Sequence, residues 1–242
     1  MSDEIRSQLA PTGVLRAGIN MANKLLVTGE TPAGEPDGVG PEFARHIAGR
    51  LGVDIVYVRF PTPGELADAV GADTWDVGLI GAEPTRAEKI EFTAAYVEIE
   101  ATYLVPAGSP LKTIEDVDAE GVRIAVSGRS AYDLYLTRSL KHAELLRAQG
   151  LPGALELFLN DKLDALAGLR PALNNDIDKV PGGRILEGQF TAVQQAVGTA
   201  KVNTAAAAYL SDCVEEAKAS GLIGELIEKH GVVGRLSVAA AA

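Results

Sequence analysis

The sequence is poor in the residue types that build disulfides and transition-metal sites. Its 242 residues include one cysteine, Cys213, and three histidines, so an internal disulfide is excluded. It contains no CxxC or HExxH spacing, and we expect neither a metal nor another cofactor. Aromatic residues make up only 5% of the chain and are spread along it, which argues against an aromatic platform for a sugar or a cage for a quaternary amine.

Basic charge and long apolar runs are also scarce. The chain has 22 Lys and Arg against 33 Asp and Glu, a formal net charge of -11 that repels nucleic acid and anionic membranes. No apolar run approaches the ~18–20 residues of a membrane span, and residues 1–6 have neither a basic nor an apolar signal region. We therefore expect no nucleic-acid partner and no membrane insertion. We expect a cytoplasmic location for the sequence as written, or a periplasmic one if Met1 follows a removed leader.

Short apolar runs that are typical of strands alternate with longer segments of helical period. The predicted strands are 14–19, 53–58, 77–80 and 122–126, and the predicted helices are 41–51, 131–147, 204–220 and 222–230. In the first helix Phe43, Ile47 and Leu51 recur every four residues on one face. Pro41 opens this helix and Gly52 follows its last turn. The alternation predicts an α/β protein with mixed, largely parallel sheets.

Seven short motifs occur along nearly the whole chain in a specific order and spacing. They are DGVGPEF at 37–43, WDVG at 75–78, PTR at 84–86, IEFT at 90–93 with Tyr96, VRIAVSG at 122–128, KLDA at 162–165 and VQQAVG at 193–198. Each motif alone is common. Taken together, they make the chain resemble the family 3 extracellular solute-binding proteins, which have the type II periplasmic-binding-protein fold.

The resemblance implies two α/β lobes joined by two crossing strands, with a ligand cleft between the lobes that closes by hinge motion. The crossings would lie near 100–105 and 189–197. Lobe 1 would then comprise 12–103 plus 194–242, and lobe 2 would comprise 104–193. The resemblance also implies a small-molecule carboxylate ligand, such as an organic acid, a dicarboxylate or an amino acid, and an ABC permease as partner if the protein is exported. We expect a monomer.

The first candidate ligand residues follow the third predicted strand. Gly81 forms a turn, and we expect a helix that begins near Pro84 and holds Arg86 in its first turn. In similar proteins the arginine at this place binds the α-carboxylate of the ligand through paired charge-assisted bonds. The alternative is a surface ion pair of Arg86 with Glu83 or Glu88. Glu83 itself either favours the positive end of the helix or faces the cleft and accepts from a ligand cation.

The second group of candidates lies in the turn after the strand 122–126. Ser127, Arg129 and Ser130 precede a predicted helix whose N-terminal amides suit an anion, with Ser130 donating and Arg129 adding charge. The resemblance implies that this turn grips the same carboxylate as Arg86. The alternative, that the serines only cap the helix, is compatible with this role.

The ligand class depends on a departure from the family pattern. Amino-acid-binding relatives carry an aspartate for the ligand's α-ammonium five residues after the position of Asp164, but Leu169 stands there. An apolar residue cannot pair with an ammonium, and the adjacent Arg170 either adds positive charge to the cleft or points to solvent. We therefore expect an organic acid or dicarboxylate, unless Glu83 replaces the missing aspartate and amino acids bind.

Two asparagines follow the first predicted strand, at the place where relatives often carry an aromatic residue over the ligand. Asn20 and Asn23 can contact a ligand through amide hydrogen bonds, or they can make local turns. We include Asn23 among the candidate ligand-binding residues.

An enzyme is the alternative function, because a few relatives of this fold are dehydratases of cyclic carboxylates. The segment 169–171 lacks the glutamate that such relatives use there, and the sequence has no P-loop, nucleophile elbow or dinucleotide motif. Glu83 is the only acid or base that we assign to the cleft. We therefore expect a binding protein without catalytic residues.

Overall fold

The computed structural model describes residues 2–242 and shows an α/β protein with mixed strand pairing. The strands are β1 Val14–Asn20, β2 Gly29–Glu30, β3 Pro36–Asp37, β4 Asp54–Phe60, β5 Val77–Gly81, β6 Ile90–Val105, β7 Arg123–Ser127, β8 Glu144–Ala148, β9 Ala165–Leu169, β10 Arg184–Ile185, β11 Thr191–Ala200 and β12 Ser237–Val238. The α-helices are α1 Asp3–Leu9, α2 Val39–Leu51, α3 Pro63–Asp68, α4 Ala131–Ser139, α5 Gly150–Asn160, α6 Arg170–Asp176, α7 Thr204–Ala219 and α8 Leu222–Lys229. The α/β class predicted from the sequence is confirmed.

The chain divides into two compact units. Unit 1 comprises the residues up to Glu98 together with Gln194–Ala242, and unit 2 comprises Ile99–Val193. The chain passes between them within β6 and again within β11. From the sequence we expected the first boundary between residues 103 and 104 and the second between 193 and 194.

In unit 1, three parallel strands bring their carboxyl ends to one edge of the sheet. β1 lies between β4 and β5 and runs parallel to both, so Asn20 is paired with Phe60 and Ile19 with Leu79. β11 pairs with β5 in the antiparallel direction and places Gln195 opposite Gly81. This edge is therefore formed by the residues at which β1, β4 and β5 end.

Helix α2 covers this sheet and begins close to its carboxyl edge. Its apolar face buries Phe43, Ile47 and Leu51 completely, as the four-residue spacing predicted. The helix ends at Gly52, which adopts a left-handed conformation with φ of 66°. It begins after Gly38, where a Cβ atom would lie 2.3 Å from the carbonyl oxygen of Leu26, so the close approach of two backbone segments requires glycine there.

In unit 2, β7 lies between β8 and β9 and runs parallel to both, and β9 pairs antiparallel with β6. Both faces of this sheet are covered by apolar clusters. Val126 and Tyr132 belong to the cluster on one face, and Ala125 and Phe158 belong to the cluster on the other. Burial on both faces explains why these strands are continuous apolar runs in the sequence.

The predicted helix 131–147 is wrong. Helix α4 ends at Ser139, and residues 144–148 form strand β8. The backbone N–H groups of residues 141–143 all donate to the carboxylate of Asp118 at 2.8–3.1 Å, which turns the chain out of the helix. The following residues then pair with β7, Glu144 beside Arg123 and Ala148 beside Ser127.

Candidate functional site

The candidate ligand residues of unit 1 follow the carboxyl ends of β1 and β5. Asn23 lies three residues after β1, Gly81 is the last residue of β5, and Glu83 and Arg86 come directly afterwards. In open α/β sheets, ligands bind outside the carboxyl ends of the strands. The fold of unit 1 therefore assembles these four residues at the sheet edge where a ligand site is expected.

Arg86 is the buried cation of this edge. Only 6% of the residue is exposed, and its Nη1 donates to the carbonyl oxygen of Gly81 at 2.7 Å. The predicted helix near Pro84 is wrong, because residues 86–88 form a single 3-10 turn before β6 begins at Ile90. Arg86 is therefore held by the end of β5 and not by an α-helical turn.

Glu83 is also buried, with 9% of the residue exposed, and its carbonyl oxygen accepts from the N–H of Ala87. Since no α-helix starts at Pro84, the positive end of a helix does not explain its position. A carboxylate and a guanidinium thus lie buried within four consecutive residues. Burial of both charged groups in so short a segment is expensive unless each meets a partner.

A small cavity lies at the same edge of the unit 1 sheet, where β1, β5 and β11 supply part of its lining. Its polar lining consists of Asn20, Asn23, Tyr96 and Gln195, and the rest is aliphatic side chains, a glycine and a proline. The Oδ1 atoms of Asn20 and Asn23 accept from the N–H groups of Ala22 and Leu25, both at 3.1 Å, so each asparagine makes a local turn. Their Nδ2 atoms are the donors that they can offer to the cavity.

Two lining residues, Tyr96 and Gln195, were not assigned a role from the sequence. Both occur in the motifs that carry the family resemblance, but each stands in an apolar strand where a side chain is expected in the core. Gln195 is 4% exposed and Tyr96 is fully buried. The sequence offered one signal for a polar site here, a glutamine within the apolar run Val193–Val197. A buried side-chain amide needs polar partners.

In unit 2, the turn between β7 and α4 has the conformation of a helix cap. Ser130 is the N-cap residue, and its Oγ accepts from the N–H of Asp133 at 3.1 Å. Asp133 reaches back to accept from the N–H of Arg129 at 2.7 Å. The backbone amide of Arg129 is therefore already occupied by an internal carboxylate, a role for Asp133 that we did not predict.

Hydroxyl groups cluster on the other side of this turn. Ser127 and Ser130 are 9% and 7% exposed. Burial raises the pKa of Tyr132 to about 12, while hydrogen bonds with Ser130 and Ser127 act in the opposite direction. The turn thus brings three neutral hydroxyl groups together beside the N-terminus of α4.

Arg170 is bound within unit 2. Its Nε lies 2.6 Å from Oε2 of Glu100, and its Nη2 donates to the carbonyl oxygens of Leu186 and Gly188. The preceding Leu169 is partly buried against the apolar cluster. The charge of Arg170 is therefore balanced by Glu100. Arg170 thus gives less reason to expect an excess of positive charge among the protein residues that bind the ligand.

Arg129 adopts a left-handed conformation with φ of 62°, which costs a non-glycine residue about 1–2 kcal/mol. Arg129→Gly should raise the free energy of unfolding by up to about 1 kcal/mol, because glycine relieves the strain, and should weaken ligand binding, because it removes the charge that we assign to the ligand anion. Denaturation and titration measure the two effects. Lys162→Gly is the control, since Lys162 has φ of 49° in the same unit and should give the stability gain alone. Unchanged binding by Arg129→Gly would remove Arg129 from the site.

Asp37, Glu42 and His230 form a group that could hold a metal ion, with one potential ligand atom of each within 4.8 Å of the others. Glu42 Oε1 lies 2.5 Å from Nζ of Lys229, and Oε2 lies 3.5 Å from Nε2 of His230. Burial raises the pKa of Glu42, but the interactions with Lys229 and His230 together outweigh burial, and the net shift is downward. The Glu42 carboxylate already pairs with the Lys229 ammonium. We therefore assign this group of residues to ion pairing between α2 and α8.

None of the helices in residues 2–242 is long and apolar enough to cross a membrane.

Solved structures with the same fold include binding proteins of ABC transporters. A mutant of ArgBP from T. maritima has a TM-score of 0.75 and 21% identity, over 94% of this chain and 99% of that chain. A putative ABC transporter binding component from Wolinella succinogenes complexed with lysine has a TM-score of 0.74 and 20% identity, over 90% and 95%. The ancestral amino acid-binding protein AncCDT-1, a precursor of cyclohexadienyl dehydratase, has a TM-score of 0.73 and 19% identity, over 92% and 97%.

These likenesses define the class as a two-lobed periplasmic-binding-protein type II fold. The sequence profile of the bacterial extracellular solute-binding proteins, family 3, matches residues 15–233. The chain therefore belongs to this family, and the resemblance noted in the sequence is confirmed. No curated protein shows a significant sequence match.

Proposed function

We propose that the protein binds a small carboxylate-bearing ligand and that Arg86 holds the carboxylate. The observation that carries this proposal is the burial of the Arg86 guanidinium at the carboxyl end of β5. A guanidinium presents a planar fork of donors that matches a carboxylate in geometry and charge. A permanent cation buried at the edge where α/β sheets bind ligands favours an anionic ligand group.

The family supports a binding role over catalysis, since the similar structures are mostly binding proteins. Lysine, which is bound in one of them, carries an α-carboxylate, as does arginine, which is bound in an ancestral arginine-binding protein. We assign Ser127 and Ser130 of unit 2 to the same carboxylate, because their hydroxyls lie beside the N-terminus of α4. If the protein is exported, its partner in this proposal is an ABC permease.

The remainder of the ligand is an organic acid in this proposal, and not an α-amino acid. Leu169 cannot pair with an ammonium group, and an unpaired buried cation is strongly disfavoured. Glu83 is the acid in unit 1 that could replace the missing partner, because it is buried three residues from Arg86. The two ligand classes therefore differ in whether Glu83 contacts the ligand.

A paired titration tests the ligand class. A thermal-shift screen of amino and organic acids selects an amino acid and its deaminated analogue, for example glutamine and glutaramate. Wild type should prefer the analogue by roughly 10–150-fold, the equivalent of a missing charge-assisted contact of ~1.5–3 kcal/mol, and Glu83→Gln should keep this preference.

The control for this titration is Glu88→Gln, which changes an exposed glutamate in the same segment and should leave both affinities unchanged. If the amino acid binds wild type tightly but Glu83→Gln weakly, Glu83 holds its ammonium and amino acids are the ligands. Tight binding of the amino acid by both proteins, without binding of the analogue, would refute the organic-acid assignment and leave another ammonium partner to be found.

A further inference from the structure

The cavity of unit 1 has a polar but uncharged lining. The described residues that border it contribute the amides of Asn20, Asn23 and Gln195 and the hydroxyl of Tyr96, and none of them carries a charge. The cavity has room for about one water-sized group. It lies at the same sheet edge as Arg86, because its lining residue Gln195 is paired with Gly81, whose carbonyl oxygen accepts from Arg86.

The hydroxyl of Tyr96 is the strongest sign that this cavity binds something. Tyr96 is fully buried, and among residues 2–242 its hydroxyl has no hydrogen-bond partner. A Cβ atom placed on Gly40, another lining residue, would lie 3.7 Å from this hydroxyl, so the hydroxyl reaches the cavity wall formed by α2. Natural proteins rarely leave a buried hydroxyl unpaired, because its lost bonds to water are then not replaced.

The lining selects the charge of the group that fits. An ammonium or guanidinium would find no carboxylate there, and a carboxylate would find no cation, so either would be buried without a counter-charge. A methyl group would leave the Tyr96 hydroxyl unpaired. A neutral group that both donates and accepts satisfies the tyrosine hydroxyl and the amides together.

We propose that this cavity receives an uncharged hydrogen-bonding group at the end of the ligand, a hydroxyl or the terminal nitrogen or oxygen atom of a carboxamide, while Arg86 holds the ligand's carboxylate. This inference rests on the proposed function and narrows it. The ligand class becomes a small acid with a neutral polar tail, in contrast to the cationic side chains of arginine and lysine.

A series of straight-chain carboxylates of four and five carbons tests the inference by calorimetry. The probes end in a hydroxyl, a carboxamide, a methyl, an ammonium or a second carboxylate, and are used with or without an α-amino group, whichever form wild type binds. The hydroxyl or carboxamide probe should bind at least about 10-fold more tightly than the others. Tyr96→Phe should weaken that probe by roughly 5–30-fold and leave the methyl probe unchanged.

Gly40→Ala tests the same cavity by adding a methyl group on the side formed by α2. The added methyl would meet its neighbours at 3.6–3.7 Å, an ordinary contact distance, so it fills the cavity without a clash. The variant should bind the hydroxyl and carboxamide probes more weakly yet melt at or above wild type, by about 1–4 °C at most. Gly49→Ala is the matched control in the same helix, because its methyl would meet nothing within 4 Å and should leave every affinity unchanged.

The outcomes separate this inference from the proposed function. If binding depends on Arg86 but the methyl probe binds as tightly as the hydroxyl probe, and Tyr96→Phe changes neither, the cavity holds only an ordered water. The inference is then overturned while the proposed function stands. If no probe binds, or if binding survives Arg86→Ala, both are overturned.

Discussion

Arg86→Ala should abolish tight binding of the carboxylate ligand. We expect a loss of about 2–5 kcal/mol, or roughly 30- to 5,000-fold in affinity, because the ligand carboxylate would lose its bidentate partner. Arg86→Lys should fall between alanine and wild type, since an ammonium keeps the charge but not the planar fork. Calorimetry with the acid that most stabilises wild type in a thermal-shift screen measures both affinities.

The control must separate binding from folding, because Arg86 also donates to the carbonyl oxygen of Gly81. Arg184 is a suitable match in unit 2, where its Nη2 donates to the carbonyl oxygens of Ser109 and Leu111. Arg184→Ala should therefore lose a comparable amount of stability without losing affinity. Wild-type affinity in Arg86→Ala would show that the carboxylate is held elsewhere and would end the assignment.

The sequence predicted correctly those helices and strands whose bounds are determined by residues close to them in the chain. The four-residue spacing of Phe43, Ile47 and Leu51 and the left-handed Gly52 are local signals, and helix α2 ends where they indicate. Strands β1, β4, β5 and β7 agree with the predicted runs to within about two residues. Helices α7 and α8 were likewise predicted to within about one residue.

The errors occur where distant residues decide the structure. Nothing in residues 131–147 breaks a helix, because the segment contains neither glycine nor proline. The helix ends because Asp118, more than 20 residues earlier, accepts from three consecutive N–H groups. Tertiary pairing with β7 then overrides helix propensity.

Candidate ligand residues could be proposed from the sequence only where the family motifs occur. Gly81, Glu83, Arg86 and Asn23 were proposed from position and family resemblance, and the fold assembles them at one sheet edge. The cavity could not be predicted in the same way, because it depends on the register that places Gln195 opposite Gly81 and on the approach of α2 to Tyr96. A buried glutamine marks a polar contact in the sequence, but its partner is visible only in three dimensions.

Asp133 organises the turn between β7 and α4 in unit 2. Its side chain is 3% exposed, and it accepts from the N–H of Arg129 at 2.7 Å and from Nε of Arg147 at 3.0 Å. Ser130 and Asp133 have the spacing of a capping box, but the Asp133 carboxylate accepts from the N–H of Arg129, the residue before the N-cap, and not from that of Ser130. The carboxylate thereby joins the start of α4 to strand β8.

Asp133→Ala should lower the free energy of unfolding by about 2–4 kcal/mol, because it removes the buried acceptor of the Arg129 N–H and the ion pair with Arg147. For a chain of this length that corresponds to roughly 5–15 °C in melting temperature. Asp133→Asn should lose less, since its amide oxygen can still accept from the Arg129 N–H while the charge facing Arg147 is gone. Arg147 is 44% exposed in its side chain, so water compensates part of that loss.

Hydrogen exchange locates the effect of Asp133→Ala, because the Arg129 amide should exchange faster than in wild type if the carboxylate protects it. Asp116→Ala is the comparison, since Asp116 also accepts from two backbone N–H groups in unit 2 but does so at the surface, and its loss should cost less. Asp133→Ala should also bind ligand more weakly than wild type, because Ser127 and Ser130 would no longer be held beside the N-terminus of α4. An Asp133→Ala protein that melts with wild type and protects the Arg129 amide equally well would show that the turn holds its shape through Ser130 alone.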